Sequence, residues 1–389
     1  MDRISGLPDE VLVKILSFVP TKVAVSTSIL SKRWEFLWMW LTKLEFGDIR
    51  YSESEFKSLE CFLNRNLPLH RAPVIEKFGL DIGVSDWKPE DIRMWAVVAV
   101  SHHIRELEIY VPCYLDKLNI LPSSLYTSKS LVILVLGGRI LLDVPRMVCL
   151  PSLKTLKLVM VSFSKEGTLQ RLLFNCPVLE NLAVHLHYHD NMGKCSFLES
   201  FTLVDDNYDS HPCLIENMPK LTLAYIDVKS TDLKSLIGSI TSVKKLTIFS
   251  KAMFGDGFLF NHLEHLKLSV SEEYPSNLLV RFLKDSPNLR GVIVKYLSKM
   301  NNHENLGLFS WHLPSTVPEC LLSSLQIFTW SGYLGRPQDR EIAVYILKNA
   351  CRLRTAGFVA DTRLVPKLKM ITELTRSSRA SSTCQLLFR

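Results

Sequence analysis

The chain has 389 residues, 47% of them hydrophobic and 22% charged, with a net charge of +7. This length accommodates two or three domains, and no apolar run approaches the roughly 18 residues that a membrane-spanning helix requires. The first residues lack the pattern of a secretion leader and the nine cysteines form no CxxC pair. We therefore expect a protein of the cytoplasm, the nucleus or both that enters no membrane.

The first forty residues predict three short helices. Pro8 to Glu10 suit the start of the first helix, because proline loses no hydrogen bond there and acids face the positive end of the helix dipole. Its apolar side chains then recur with helical spacing, at Leu12, Ile15, Leu16 and Val19. The stretch "TKVAVSTSIL" predicts a second helix after Pro20, and Ser31 is a candidate cap for a third.

This helical segment is too small to cover all of its own apolar side chains. Units below about 40 residues rarely form a sufficient core by themselves, yet the segment contains Trp34 and Trp38 besides many aliphatic residues. We expect Leu12 and Val19 to lie inside the segment. The remaining apolar surface predicts a protein partner, since exposed apolar patches and tryptophan are typical of interfaces.

Residues 49–100 are ambiguous. The stretch "VIEKFGLDI" at Val74 is compatible with an early strand, and "PEDIRMWAVVAVSHHI" with the helix that follows it.

A repeat occupies the middle of the chain. Each copy has an apolar residue, two others, an apolar residue, one other and an apolar residue. The copies begin at Ile104, Leu131, Leu153, Leu179, Leu198, Leu221, Val243, Leu263, Leu289 and Leu325. Successive starts lie 19 to 36 residues apart, mostly within the period of about 20–29 residues of leucine-rich repeats.

This repeat predicts an α/β fold in which strands and helices alternate. One strand–helix unit cannot cover its own apolar side, whereas stacked units share a continuous core. We therefore expect a curved solenoid with a parallel sheet on its concave face. The side chains between the apolar ones would form a binding surface there, with Glu106, Glu108, Tyr110, Lys157, His185, Tyr225, Asp227, Lys245, His265 and Lys267 as candidates.

Motifs of catalysis are absent from the sequence. It contains no GxSxG and no GxxxxGK[ST], and no GxGxxG follows a predicted strand. "HLHYHD" from His185 to Asp190 is the best candidate metal site, but zinc sites more often pair two ligands with a distant second pair. We expect an ordinary polar strand end, no metal and no cofactor, and an enzyme centred on these histidines stays the remote alternative.

The positive charge is concentrated near the C-terminus. From Pro314 to Arg389 there are 11 Lys and Arg and 5 Asp and Glu, a net charge of +6. The basic residues form no dense run of the kind that binds nucleic acid, so we expect no nucleic-acid partner.

Motifs at both ends give the chain a family resemblance. "LPDE", "ILSFVPTK", "TSILSKRW" and Leu37-Trp38 resemble the F-box of the plant family that joins an F-box to leucine-rich repeats and an FBD domain. The stretches "VPECLLSSLQIFTWSGYLG", "YILKNACRL" and "RASSTCQLLF" resemble the FBD domain. The resemblance implies an F-box at 1–48, repeats at 49–313 and an FBD domain at 314–389. Because "SLQIFTW" repeats the strand motif, we expect the FBD domain to cap the open end of the solenoid.

The resemblance also implies a function. It indicates a non-catalytic substrate receptor of an SCF-type ubiquitin ligase, whose F-box binds a Skp-family adaptor and, through it, a cullin scaffold and a RING subunit. The repeats would hold the protein to be ubiquitylated. The residues expected to contact the adaptor or to support that surface are Leu7, Pro8, Ile15, Leu16, Pro20, Leu30, Ser31, Trp34, Leu37 and Trp38.

A departure from the family pattern leaves a second hypothesis open. Many relatives have an acidic residue where this chain has Val23, so the second helix would begin with less support. The chain would then be an interaction scaffold with a degenerate F-box.

Overall fold

Strands and helices alternate along most of the chain in the computed structural model. The structure describes residues 4, 6–47, 52–81, 87–112, 117–165, 167–186, 199–205, 220–228, 234–249, 258–270, 275–296, 314–360 and 367–389. The chain divides into two compact units, Met1–Phe197 and Leu198–Arg389.

The first unit has one main parallel sheet and one small one. Its described helices are α1 (Asp9–Leu16), α2 (Thr21–Ser26), α3 (Glu53–Asn66), α4 (Pro89–Ser101) and α5 (Thr168–Phe174). Its strands are β1 (Lys43–Phe46), β2 (Lys77–Asp81), β3 (Glu106–Val111), β4 (Asn119–Ile120), β5 (Ile133–Gly138), β6 (Ile140–Leu142), β7 (Thr155–Val159), β8 (Ser162–Phe163) and β9 (Asn181–Leu186). The main sheet has the order β1-β2-β3-β5-β7-β9, and β4-β6-β8 form the small sheet. Short 3-10 helices lie at Thr27–Ile29, Leu37–Trp40, Leu67–Leu69 and Ser123–Thr127.

The second unit has a parallel sheet whose strands follow chain order. Its strands are β10 (Ser200–Asp205), β11 (Leu223–Val228), β12 (Lys245–Phe249), β13 (His265–Val270), β14 (Gly291–Tyr296), β15 (Ile327–Tyr333), β16 (Thr355–Ala360) and β17 (Gln385–Phe388). Its described helices are α6 (Lys234–Ser239), α7 (Pro275–Asp285), α8 (Glu319–Ser323), α9 (Pro337–Asn349) and α10 (Lys367–Thr375).

The predicted α/β class with a parallel sheet is confirmed. Each of the ten repeat copies leads into a strand of a main sheet, and the ambiguous stretch at Val74 leads into β2 with α4 after it. Side chains alternate along these strands between the core and the opposite side of the sheet, which we call the open face. In β12, for example, Leu246 and Ile248 are buried while Lys245 is exposed.

A turn of constant form precedes many of the strands. The backbone N–H of the first apolar residue of a repeat donates to the carbonyl three residues earlier, as at Leu153, Leu179 and Leu289, with lengths of 3.2–3.3 Å. These side chains are almost completely buried. The turn therefore inserts one apolar side chain per repeat into the core before the chain extends into its strand.

Serine hydroxyls connect neighbouring repeats at the same level. Ser130 donates to the carbonyl of Ile104 at 2.9 Å and Ser324 to that of Leu289 at 2.9 Å. In both repeats the carbonyl belongs to the buried first apolar residue of the preceding copy. Such bonds satisfy carbonyl groups that the turns leave without a strand partner.

The third predicted helix of the N-terminal segment differs from expectation. Residues after Ser31 form successive turns and then the 3-10 helix Leu37–Trp40, with bonds from Leu37 N–H to the Trp34 carbonyl and from Leu41 N–H to the Trp38 carbonyl. Trp34, Leu37 and Trp38 are all buried. Bonds between residues three apart make a tighter spiral than an α-helix, and this tighter path accompanies the burial of all three bulky side chains.

None of the helices in the described part of the chain has the length and apolarity that crossing a membrane requires.

Candidate functional site

The N-terminal segment has a small core of its own. Leu12 and Leu16 on α1 are buried, as are Trp34, Leu37 and Trp38. Trp38 also contacts Phe62 of α3, with ring centroids 5.1 Å apart. Part of the predicted adaptor set therefore supports the segment from inside.

Polar contacts hold the same segment against the first sheet and against itself. The Thr21 hydroxyl accepts the backbone N–H of Glu45 in β1 at 2.9 Å, and Lys22 pairs with Glu55 of α3 at 3.0 Å. Arg33 donates to the Asp9 carboxylate at 2.7 Å and 2.9 Å and to the Leu7 carbonyl. Asp9 and Leu7 flank the start of α1, so Arg33 fixes that end of the helix.

A second stripe of α1 faces solvent. Val11, Ile15 and Phe18 follow each other at helical spacing and are 42%, 43% and 77% exposed. Beyond α2, Ile29 and Leu30 are 88% and 64% exposed. We call these five residues the exposed apolar set. A concentration of exposed apolar side chains in one short segment is typical of protein interaction sites.

The predicted adaptor residues fall into two groups. Pro8, Ile15, Pro20, Leu30 and Ser31 are exposed and Leu7 is half-buried, whereas Leu16, Trp34, Leu37 and Trp38 lie in the core. Leu12 is buried as expected, but Val19, which was expected inside, is exposed. Which of these residues contact a partner stays a prediction.

Three members of the exposed apolar set were not predicted from the sequence: Val11, Phe18 and Ile29. Val11, Ile15 and Phe18 are spaced at i, i+4 and i+7, one position before Leu12, Leu16 and Val19. The two stripes have the same helical period, so the pattern alone does not decide which of them faces the core. The packing of α1 against the 3-10 helix Leu37–Trp40, with Leu12 and Leu16 buried, decides it.

The candidate binding residues of the first unit lie on the open face of its main sheet. Glu106, Glu108 and Tyr110 belong to β3, Lys157 to β7 and His185 to β9, and none of them points into the core. His187 to Asp190 of the histidine stretch lie outside the described residues. Within the described chain, His, Cys, Asp and Glu form no group of three that could hold a metal ion.

Charges on this face of the first unit are partly paired with each other. Lys77 in β2, which the sequence analysis did not single out, lies 2.6 Å from Glu45 and 3.4 Å from Glu108. Its hydrogen bond to Glu45 raises the pKa of Lys77. The pairing reduces the negative charge that Glu108 presents to a partner.

The candidates of the second unit lie on the open face of its sheet. Tyr225 and Asp227 belong to β11, Lys245 to β12, and His265 and Lys267 to β13. The Tyr225 ring lies 5.3 Å from that of Phe249. Burial and the neighbouring Asp227 raise the pKa of Tyr225.

The His265 ring lies over Gly291 on the next strand. A methyl group added to Gly291 would lie 2.7 Å from His265 Nδ1. The glycine therefore leaves space for the imidazole to lie flat along the sheet.

Models of three protein families match separate parts of the chain. The F-box domain model matches residues 4–46, and the model described as "FBD-associated F-box protein At5g56370, LRR repeats" matches residues 92–204. The FBD model matches residues 312–358, so residues similar to that module form β15, α9 and most of β16.

Relatives from Arabidopsis thaliana align along nearly the whole chain. The chain is 67% identical to the FBD-associated F-box protein At4g10400 of Arabidopsis thaliana, over all of both chains. It is 49% identical to the FBD-associated F-box protein At5g38590 of the same plant, over 96% of this chain and 98% of the relative. It is also 40% identical to the F-box/FBD/LRR-repeat protein At4g26340 of Arabidopsis thaliana, over all of both chains.

Proposed function

Since the chain belongs to the FBD-associated F-box proteins of plants, we propose that it is the substrate-recognition subunit of an SCF-type ubiquitin ligase. An F-box implies a Skp-family adaptor as its partner. Through that adaptor the chain would join a cullin scaffold and a RING subunit. The chain itself is non-catalytic in this proposal, because the transfer of ubiquitin is carried out by other subunits.

The observation that carries the proposal is the exposed apolar set on a segment that already has its own core. Leu16 and Trp34 are buried, so the segment does not need the five exposed side chains for folding. Burial of an aliphatic or phenyl side chain contributes about 1.5–3 kcal/mol. Covering them with an adaptor groove therefore offsets part of the cost of association, which is about 4–15 kcal/mol.

We further propose that the strands of each unit stack as coils of a leucine-rich-repeat solenoid. The recurring turn before the strands and the serine bonds between successive copies support this inference, because both repeat once per coil. The open sheet faces would then hold the protein to be ubiquitylated. Tethering raises the effective concentration of that protein near the transferring subunit.

Adaptor capture tests the proposal. The full chain should capture a purified Skp-family adaptor, and Phe18→Ser should weaken capture at least tenfold because Phe18, in the turn just after α1, is 77% exposed. Phe174→Ser on α5 is a matched control, since Phe174 is 83% exposed and outside the F-box match. The Leu16→Ala variant is less informative, because it removes part of the core and weakens capture through unfolding.

The rival reading is a scaffold with a degenerate F-box. One observation favours it: α2 begins without a side-chain cap and without an acid in its first turn, and Val23 is exposed there. Failure of the unmodified chain to capture any Skp-family adaptor would establish this reading. Equal capture by the Phe18→Ser variant would refute the role given to the exposed apolar set.

A further inference from the structure

Three lysines form a diagonal across neighbouring strands on the open face of the second unit. Lys245 is the first residue of β12, and its register partner in β13 is His265. Lys267 lies two residues further along β13 and pairs with Ile293 of β14. Lys295 lies two residues further again along β14. We call these three residues the lysine diagonal.

The geometry of a parallel sheet fixes the spacing along this line. Each step goes across one strand, about 4.8 Å, and along two residues, about 6.6 Å. Successive lysines are therefore about 8 Å apart at their α-carbons. All three side chains are exposed.

Carboxylates that would neutralise the lysine diagonal are not found on the open face beside it among the described residues. None of the three lysines forms an ion pair among the described residues. Asp227 is the acidic residue at the described open-face positions of β10 to β17, and its register partner is Phe249, at the opposite end of β12 from Lys245. On the first unit, by contrast, Lys77 is paired with Glu45 and Glu108.

We propose that the lysine diagonal binds an extended acidic segment of a protein, with carboxylates at alternate positions. Side chains at i, i+2 and i+4 of an extended chain face one side and are about 6.6–7 Å apart. The flexible stems of lysine accommodate the small difference from the spacing on the sheet. That the segment belongs to a protein destined for ubiquitylation rests on the proposed function.

The surroundings favour a protein segment over a nucleic acid. Ile293, 41% exposed, lies beside Lys267, and Ile327 of β15, 45% exposed, pairs with Gly291, two residues before Ile293. Apolar residues that flank the acidic residues of the bound segment would contact these two isoleucines. Nucleic-acid sites usually combine a dense positive surface with aromatic side chains that stack on bases. The open face has the aromatic pair Tyr225 and Phe249, but three lysines about 8 Å apart do not make a dense positive surface.

Peptide binding by the full chain tests the inference. A fluorescent peptide with three aspartates at alternate positions should bind, and its affinity should fall as salt is raised because exposed charges are screened. A peptide with asparagine in place of each aspartate should bind at least tenfold more weakly. A peptide with the three aspartates adjacent should also bind more weakly, since only one or two carboxylates then face the lysines.

Charge reversal on the protein gives the second arm of the test. Lys267→Glu, at the centre of the diagonal, should weaken binding of the alternate peptide at least tenfold. Lys284→Glu on α7 is the matched control, because it makes the same change of charge at an exposed position away from the open face. Equal loss in both variants, or none in either, would overturn the inference.

Two further measurements separate the possible failures. Adaptor capture is measured on the same preparations, and capture without peptide binding overturns the lysine-diagonal inference alone. Peptide binding without adaptor capture supports the diagonal and refutes the ligase role. The chain is also tested with a short single-stranded DNA and with phosphatidylserine vesicles. If either binds more tightly than the alternate-aspartate peptide and none of the peptides displaces it, the choice of an acidic protein segment is overturned.

Discussion

At the scale of single residues, His70 is a buried histidine beneath the N-terminal segment. Its ring lies 6.3 Å from that of Trp38 and 5.5 Å from that of His102. Burial lowers the pKa of His70 to about 4, and the neighbouring His102 contributes to the shift, while a backbone contact with Leu41 acts against it. The folded protein therefore holds this imidazole neutral under conditions in which an unfolded chain would protonate it.

This arrangement predicts a loss of stability in mild acid. Between about pH 6.5 and pH 4 the unfolded state binds a proton at His70 that the folded state excludes, so stability falls as the pH falls through that window. Each unit of pKa depression corresponds to about 1.4 kcal/mol. His70→Phe retains an aromatic ring without a titrating group, so its unfolding midpoint in denaturant should change less with pH. Parallel curves for the unmodified chain and the variant between pH 7.5 and pH 4.5 would contradict this assignment.

At the scale of elements, the end of β5 requires glycine. Gly138 has a φ of +80°, and a methyl group there would lie 1.6 Å from the Val111 carbonyl oxygen of β3. At its neighbour Gly137, a methyl group would meet the Tyr110 ring, with the closest carbon 2.4 Å away. Tyr110 is 43% exposed, so a rotation of its side chain relieves this contact, whereas the carbonyl of a paired strand is fixed.

Two neighbouring alanine substitutions test this difference. Gly138→Ala should destabilise the chain by more than about 2 kcal/mol, since a left-handed residue costs about 1–2 kcal/mol even without a clash. Gly137→Ala should cost less than about 1 kcal/mol, because only an exposed ring has to move. Thermal unfolding of both variants measures the two effects. Equal shifts in the unfolding midpoint of the two variants would contradict the prediction that position 138 requires glycine.

At the scale of elements, the repeat pattern of the sequence predicts most of the strands. The repeat copies predict the strands because one apolar residue enters the core at a fixed place before each of them, and this spacing survives variation in loop length. Ser130 and Ser324 carry a usable signal as well, since each directly precedes the first apolar residue of a copy. The same pattern also occurs in "LTKLEF" from Leu41, which leads into β1, although the copies recognised from the sequence begin only at Ile104.

The N-terminal segment was less predictable for a physical reason. Its local pattern gives helices, but tertiary burial of Trp34, Leu37 and Trp38 produces the 3-10 path after Ser31. Charge pairing was also hidden, because Lys77 and Glu108 are far apart in sequence and meet only through the register of β2 and β3. The lysine diagonal depends on register in the same way, so the sequence analysis identified Lys245 and Lys267 as candidates without Lys295.

At the scale of the whole molecule, a stacked parallel sheet must be covered at its ends. Repeats share one core with their neighbours, so a terminal copy needs a different kind of cover, and an uncovered strand edge promotes aggregation. In the second unit, β17 pairs with β16, and its Phe388 ring stacks on Phe358 with centroids 6.1 Å apart. The Ser381 hydroxyl donates to the Leu353 carbonyl at 2.6 Å, repeating the serine bond found between other copies.

We therefore expect the chain to aggregate when β17 is removed. Deleting residues 376–389 makes the six-residue β16 the edge strand in place of the four-residue β17, and short edge strands limit pairing with other chains. The deletion also uncovers one side of the aromatic cluster of Phe328, Trp330, Tyr333 and Phe358. The truncated chain should elute as aggregates in size-exclusion chromatography with light scattering, and its soluble fraction should unfold at a lower temperature. Leu387→Ser is the control, because Leu387 lies on the same strand with its side chain 43% exposed on the open face, and the substitution should leave both measurements unchanged. A monodisperse truncated chain with an unaltered unfolding midpoint would mean that β17 does not protect the sheet. The pairing of β17 with β16 and the contact of Phe388 would then add no measurable stability to the chain.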